Sequence, residues 1–435
     1  MVDVGESTAL LTDQYELTMV DAALRSGAAD RRCVFEVFAR SLPGRRRYAI
    51  VAGTGRLLEA LPTFRFDDDS LSFLAGRGVV DAATRDWLAA YRFTGTIDGY
   101  AEGEVYLPGS PVLTVEGTFA ECVVLETLVL SVLNHDSAVA TAAARMVCAA
   151  GDRPCIEMGS RRTHEEAATA AARAAYVAGF AATSNLAAGH RWDIPTTGTA
   201  AHAFTLLHDD ERTAFQAQVG ALGVATTLLV DTYDVEAGIR TAVEVAGTSL
   251  GAIRLDSGDL PTQARDARRL LDELGATETR IVVTSDLDEH AIAALASAPV
   301  DGYGVGTSVA TGSGSPTAGF VYKLVARESA DGQWVAVEKR SPGKRSSGGR
   351  KHASRRIDRG IARAEVLRIS GAPPPSDAER PLQRALVRGG EAVEPSSLEA
   401  ARQRCRDSIA ELPLEATKLS AGSPAIETVY ERTDP

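Results

Sequence analysis

Apolar positions along this chain follow different periods in different regions, and the change divides it. In the middle region, short apolar runs occur at 155–159, 181–184, 226–231, 252–256, 281–285 and 302–306. Stretches at 165–178, 236–245, 262–274 and 288–296 lie between several of them. The runs predict buried strands and the stretches predict amphipathic helices. From residue 226 onward a run returns about every 20–30 residues, the rhythm of βα units with parallel crossovers. Most runs end in polar or glycine residues: GSRR, TSN, DTYD, RLDSGD, TSD and GVGT. In a (β/α) barrel the strand C-termini converge on one face and build the site. Such strand ends favour a barrel with one mouth over an open sheet, which would show a single Gly-rich fingerprint at its switch point.

The flanks read differently. Thr12 or Asp13 can cap a helix running to about Arg25, with Gly27 just past its end. Residues 33–39 alternate as a strand, and 93–117 carry several short strands with Gly and Pro turns, as in a small sandwich or half-barrel. A further strand is expected at 320–325 and a helix at 397–412 with Ser397 as its cap. The basic Gly/Ser run 341–356 reads as a solvated loop, and the Pro-rich segment 372–376 as a linker. These changes predict an N-terminal α+β domain (1–125) and a barrel carrying the active site (126–317). A C-terminal segment (318–435) would complete the barrel edge and the first domain.

Length supports this division, because 435 residues exceed one ordinary core. Hydrophobic residues make up 45% and charged residues 24%, a globular composition. A net charge of −12 argues against nucleic acid or an anionic membrane as partner, but a local cluster of donors can still hold a small anion. No uninterrupted run of about 18 apolar residues occurs, so no membrane-spanning helix is expected. The first six residues are acidic, without the apolar core of a signal peptide. Five cysteines (Cys33, Cys122, Cys148, Cys155 and Cys405) are widely spaced and form no CxxC, which fits free thiols in the cytoplasm better than disulfides or zinc.

The strand ends hold the candidate chemistry. Arg254-Leu255-Asp256-Ser257-Gly258-Asp259 places a guanidinium and carboxylates together; it could hold an anion and a hydroxyl or Mg²⁺-bound water, or form a strand-end turn with an internal ion pair. Arg161 and Arg162 precede a helix start, as a phosphate or carboxylate seat or as exposed arginines. Residues 196–201 form a hydroxyl-rich turn into His202, which could be a base, a ligand, a phosphoryl acceptor or a structural histidine. Thr284-Ser285-Asp286 and Gly304-Val305-Gly306-Thr307 end the last two strands, where barrels often bind phosphate through backbone N–H groups. Tyr15 lies outside the barrel in a capped helix.

Nine segments, taken in order, resemble the nicotinate phosphoribosyltransferase family: TDQYELTM (12–19), FEVFARSLPGRRRYAIVAG (35–53), EMGSRRTHE (157–165), TSNLAAG (183–189), GTAAHAF (198–204), LLVDTYD (228–234), IRLDSGD (253–259), VTSDLDE (283–289) and GVGTSVAT (304–311). The resemblance covers nearly the whole chain. It implies an irregular (β/α) barrel of the type II phosphoribosyltransferase kind, plus an α+β sandwich domain built from both terminal segments. It also implies that nicotinate displaces pyrophosphate from phosphoribosyl pyrophosphate, with Mg²⁺ on the phosphates and ATP hydrolysis coupled through a phosphohistidine at His202. Arg254 then looks like the partner of the nicotinate carboxylate, with Arg161 in support. Asp256 and Asp231 resemble carboxylates around the ribose hydroxyls and, through water, Mg²⁺. Thr199 and Ser184 match pyridine-side contacts, Gly306 and Thr307 the 5′-phosphate seat, and Ser285 a further substrate contact. Tyr15 resembles a ring that stacks on the pyridine from a neighbouring subunit, which implies a homodimer with shared sites. Met158 stands where relatives often carry Phe. A nicotinamide- or quinolinate-using relative, or a non-catalytic sensor of a phosphorylated metabolite, are the alternatives.

Overall fold

The six apolar runs between 155 and 306 all become strands, and they pair with one another in parallel. A computed structural model of the chain describes residues 7–339, 347–369, 378–393 and 397–432. It divides into two compact units, residues 1–141 with 315–435, and residues 142–314.

The second unit holds the strands Cys155–Glu157, Ala182–Thr183, Thr227–Leu229, Ala252–Leu255, Arg280–Val283 and Gly302–Val305. In space they run second, first, sixth, fifth, fourth, third. The third does not pair with the second, so the sheet is a curled half-barrel rather than a closed ring. Three helices, Leu186–Trp192, His202–Leu206 and Glu211–Leu222, occupy the chain between those two strands. Leu228, Ile253, Ile281 and Tyr303 are fully buried, as expected of parallel strands covered on both faces.

Helix caps claim several of the strand-end acids. Asp234, Asp259 and Asp288 accept hydrogen bonds from the backbone N–H groups of Ala237, Thr262 and Ala291, at helix starts. Asn185 does the same for Ala188. Such caps stabilise a helix by about 1 kcal/mol. Of the acids in DTYD and LDSGD, only Asp231 and Asp256 are left free of this duty.

The first unit interlaces both ends of the chain. Its seven-stranded sheet runs Trp334–Ala336, Phe320–Glu328, Arg32–Ala39, Leu113–Thr118, Thr96–Tyr100, Gln383–Arg388 and Glu391–Ala392. A four-stranded sheet contains Glu379–Pro381, Lys351–Asp358, Ile361–Ile369 and Glu427–Arg432. The helix Gln14–Ser26 ends on Gly27 at φ 71°, the left-handed stop that glycine adopts without strain. The tail helix Leu398–Ala410 is capped by Ser397, which accepts from Ala400 N.

Three expectations need correction. The unit boundaries fall at 141/142 and 314/315 rather than at 125/126 and 317/318. Among the described residues no strand of the C-terminal segment joins the parallel sheet; Phe320–Glu328 instead pairs antiparallel with Arg32–Ala39. The basic run is not a solvated loop over 351–356. Lys351 and Arg355 are 4% and 0% exposed, in a strand whose cations meet Glu36, Glu104 and Glu365 at 2.7–2.9 Å. Residues 341–346, the Pro-rich 372–376 and the first six residues lie outside the described residues.

The sequence pattern also passed over the helix Glu126–Ala150. With the short helix Phe119–Val123 before it, it is long and apolar enough to cross a membrane by length and composition, although 67% of its most apolar window is buried in the protein. That burial, with Asp136 inside it paired to Arg56 at 2.8 Å, fits a core helix. All five cysteines are free.

Candidate active site

Four of the six parallel strands end on one cavity of about 260 Å³ in the second unit. The first contributes Met158, Arg161 and Arg162, and the fourth Arg254 and Asp256. The fifth contributes Thr284, Ser285 and Asp286, and the sixth Gly304, Gly306 and Thr307. Convergence of strand C-termini explains why residues about 150 positions apart share a mouth. A side chain at Gly304 would have its Cβ 2.5 Å from Thr284 and 2.8 Å from the Met158 sulfur, so only glycine fits there. Ser285 has φ 130°, a backbone region that L-residues rarely occupy, and such strain collects at functional sites.

Arg254 donates to Thr199 Oγ1 at 2.7 Å and to the Ala200 carbonyl at 3.4 Å. Its Nε has no partner, and no described residue forms an ion pair with it. Burial holds its pKa below the ordinary arginine value, with Arg161 adding to the effect and Asp256 and Asp231 opposing it. The group stays protonated, so it is a positive charge short of a counter-charge.

A carboxylate layer lies beside it. Asp231 Oδ2 accepts from Asp256 N at 2.8 Å and from Ser257 Oγ at 3.0 Å. Its Oδ1 is buried without a hydrogen-bond partner. Asp256 accepts a short hydrogen bond from Thr284 Oγ1. His202 opens the helix His202–Leu206, with Nε2 3.7 Å from Asp256 and 3.9 Å from Asp231. Its Nδ1 lies 3.2 Å from the Thr232 hydroxyl. Thr199, Asp231 and His202 therefore join the site through Arg254 and Asp256. Ser184 does not line the cavity; its N–H donates to the Glu157 carbonyl at 2.8 Å. Tyr15 belongs to the first unit, where burial and the neighbouring Glu126 hold its hydroxyl pKa well above the ordinary value.

Thr232 and Thr284 were missed as single residues. Both sit in motifs that the sequence singled out, but a hydroxyl's partner cannot be read from spacing.

Residues 10–134 match the model of the nicotinate phosphoribosyltransferase N-terminal domain. The nicotinate phosphoribosyltransferase pncB1 of Mycobacterium tuberculosis is 60% identical, over 98% of this chain and 96% of that protein. This chain belongs to the nicotinate phosphoribosyltransferase family. The Bacillus subtilis nicotinate phosphoribosyltransferase is 39% identical over 81% of this chain and 74% of its own. The crystal structure of the human enzyme named for nicotinic acid superposes with a TM-score of 0.83 at 27% identity, covering 97% of each chain. A nicotinate-nucleotide pyrophosphorylase from Pyrococcus furiosus, at 23% identity and a TM-score of 0.77 over 93% of this chain and 95% of that one, shares the fold. Arg254, Asp256 and Asp231 form the charged centre of this mouth.

Proposed function

We propose that this nicotinate phosphoribosyltransferase family member joins nicotinate to phosphoribosyl pyrophosphate, giving nicotinate mononucleotide and pyrophosphate for NAD biosynthesis. One observation carries the choice of substrate. Arg254 is a half-buried cation with no carboxylate partner at the edge of a small cavity, and the nicotinate carboxylate supplies what it lacks. Bound there, the ring nitrogen is held for attack on the anomeric carbon. The transition state has oxocarbenium character, so positioning and stabilisation of departing pyrophosphate do most of the work. Arg161, Gly306 and Thr307 offer charge and backbone donors to the phosphates, and Asp256 and Asp231 face the ribose hydroxyls.

Among the described residues no group of three or more His, Cys, Asp or Glu could hold a metal. Mg²⁺ needs no such cage, since it is usually bound by one or two carboxylates plus waters and phosphate oxygens. The unpartnered Asp231 Oδ1 and neighbouring Asp256 fit that role through water. Bound there, Mg²⁺ would neutralise charge on the leaving pyrophosphate.

ATP coupling is assigned to His202. The carboxylates near Nε2 favour a proton there, leaving the Nδ1 lone pair as nucleophile beside the Thr232 hydroxyl. Nδ1 would take the γ-phosphoryl group of ATP, release ADP, and lose the group to water during turnover. Tyr15 would stack on the pyridine from a second copy in a homodimer.

The test is direct. Purified protein with nicotinate, phosphoribosyl pyrophosphate and Mg²⁺ should form the mononucleotide, faster with ATP, and should prefer nicotinate over nicotinamide and quinolinate in competition. No product under those conditions would end the proposal. Label from γ-labelled ATP should appear on His202 as an acid-labile, base-stable adduct.

A further inference from the structure

Glu157 ends the first parallel strand and is 1% exposed, yet the chemistry above does not use it. None of the described residues forms an ion pair with it; its side-chain partners are Gly159 N–H and the Thr183 hydroxyl. Thr183 Oγ1 lies 2.5 Å from Glu157 Oε2 and itself accepts from Asn185 N–H at 2.9 Å. A hydroxyl offers two lone pairs and one hydrogen, so Thr183 takes the Asn185 N–H and still bonds Glu157. The Glu157 carboxyl group is thus held by neutral partners alone in a buried place. Burying an uncompensated charge is costly. Burial accordingly pushes its pKa up, while Thr183 and Gly159 pull it down.

That cost falls beneath the mouth. The Glu157 backbone carbonyl also accepts from Ser184 N–H at 2.8 Å, and Asn185 Nδ2 donates to Ser160 Oγ at 3.1 Å. A Cβ at Gly159 would lie 2.8 Å from Glu157 Oε1, so glycine permits the close approach. Two loops are fastened together here, and the first continues directly into Arg161 and Arg162.

We infer that Glu157 is a positioning residue, whose carboxyl group clamps the loop bearing Met158, Arg161 and Arg162 to the turn bearing Ser184 and Asn185, and so aims the two arginines at phosphate. The inference rests on reading the cavity as a phosphoribosyl pyrophosphate site. Glu157→Gln keeps size but gives up one acceptor oxygen, so its NH₂ must face either Gly159 N–H or the Thr183 hydroxyl. Thr183→Val removes one clamp hydroxyl at nearly constant shape. For both variants in the full chain, the KM for phosphoribosyl pyrophosphate and the calorimetric Kd for inorganic pyrophosphate should rise, by about 10-fold in Glu157→Gln, with kcat changed far less. A purely structural role would lower Tm and leave both constants where they were; that result overturns the inference. Should Glu157→Gln fail to fold, Thr183→Val decides. The pyrophosphate titration needs no turnover. A wild-type protein that binds pyrophosphate but makes no mononucleotide therefore defeats the functional reading while still testing the clamp, and one that binds no pyrophosphate defeats both.

Discussion

Two arginines, one in each unit, show how differently this chain treats a guanidinium taken out of water. Arg355, in the first unit, is fully buried. It meets Glu104 at 2.8 Å and Glu365 at 2.9 Å, and donates to the Val105 carbonyl at 2.8 Å. Burial alone would depress its pKa, but Glu104 and Glu365 outweigh that and raise it. Arg254, in the second unit, is half-buried with only Thr199 and Ala200 as hydrogen-bond partners, and its pKa is lowered. Both leave Nε without a partner, so the difference lies in counter-charge. The first unit settles its buried charge within the fold. The second leaves one unsettled at a cavity, where a ligand can supply the rest.

Removing Arg355 tests the first half of that contrast most severely. Arg355→Met would leave Glu365 without its cation and Glu104 with Arg380 alone, and we expect a loss of about 3–5 kcal/mol in denaturant unfolding. Arg254→Met should instead leave Tm nearly unchanged and cut kcat/KM for nicotinate by about 10²–10³-fold. Equal losses of stability in the two variants would erase the distinction. His202→Ala should abolish ATP stimulation while ATP-independent turnover persists; unchanged stimulation would remove His202 from its role.

The smallest effect concerns an exception within the first unit. Glu16 is buried without a cation, and burial raises its pKa to about 7 despite hydrogen bonds from Thr12 and Thr127. The folded state then holds a proton that the unfolded state releases near its ordinary pKa of about 4.5. Its contribution is fully present below that value and is lost as pH rises toward 7. Unfolding measured across this window should show stability falling with pH, with a flatter slope in Glu16→Gln.

The parallel strands were legible because each is a short apolar run closed by polar residues. The placement of Arg254, Asp256 and Thr307 at strand ends followed from that pattern. The strand Lys351–Asp358 was not legible: its cations look like a surface, and only Glu36, Glu104 and Glu365, about 10 to 315 residues away in sequence, make burial tolerable. Asp234 and Asp231 looked alike in DTYD, yet one caps a helix and the other keeps a free oxygen in the site. Glu157 looked like one letter of a motif.

The sequence by itself determined the βα rhythm, the set of strand ends that carry chemistry, and the family likeness, because these depend on residues near one another in the chain. Tertiary structure decided which charges are satisfied. It paired Arg355 and left Arg254 waiting, and it spent some acids on helix caps while freeing Asp231 and Asp256. That decision rests on desolvation and on partners brought together from distant positions, and neither is written in local spacing.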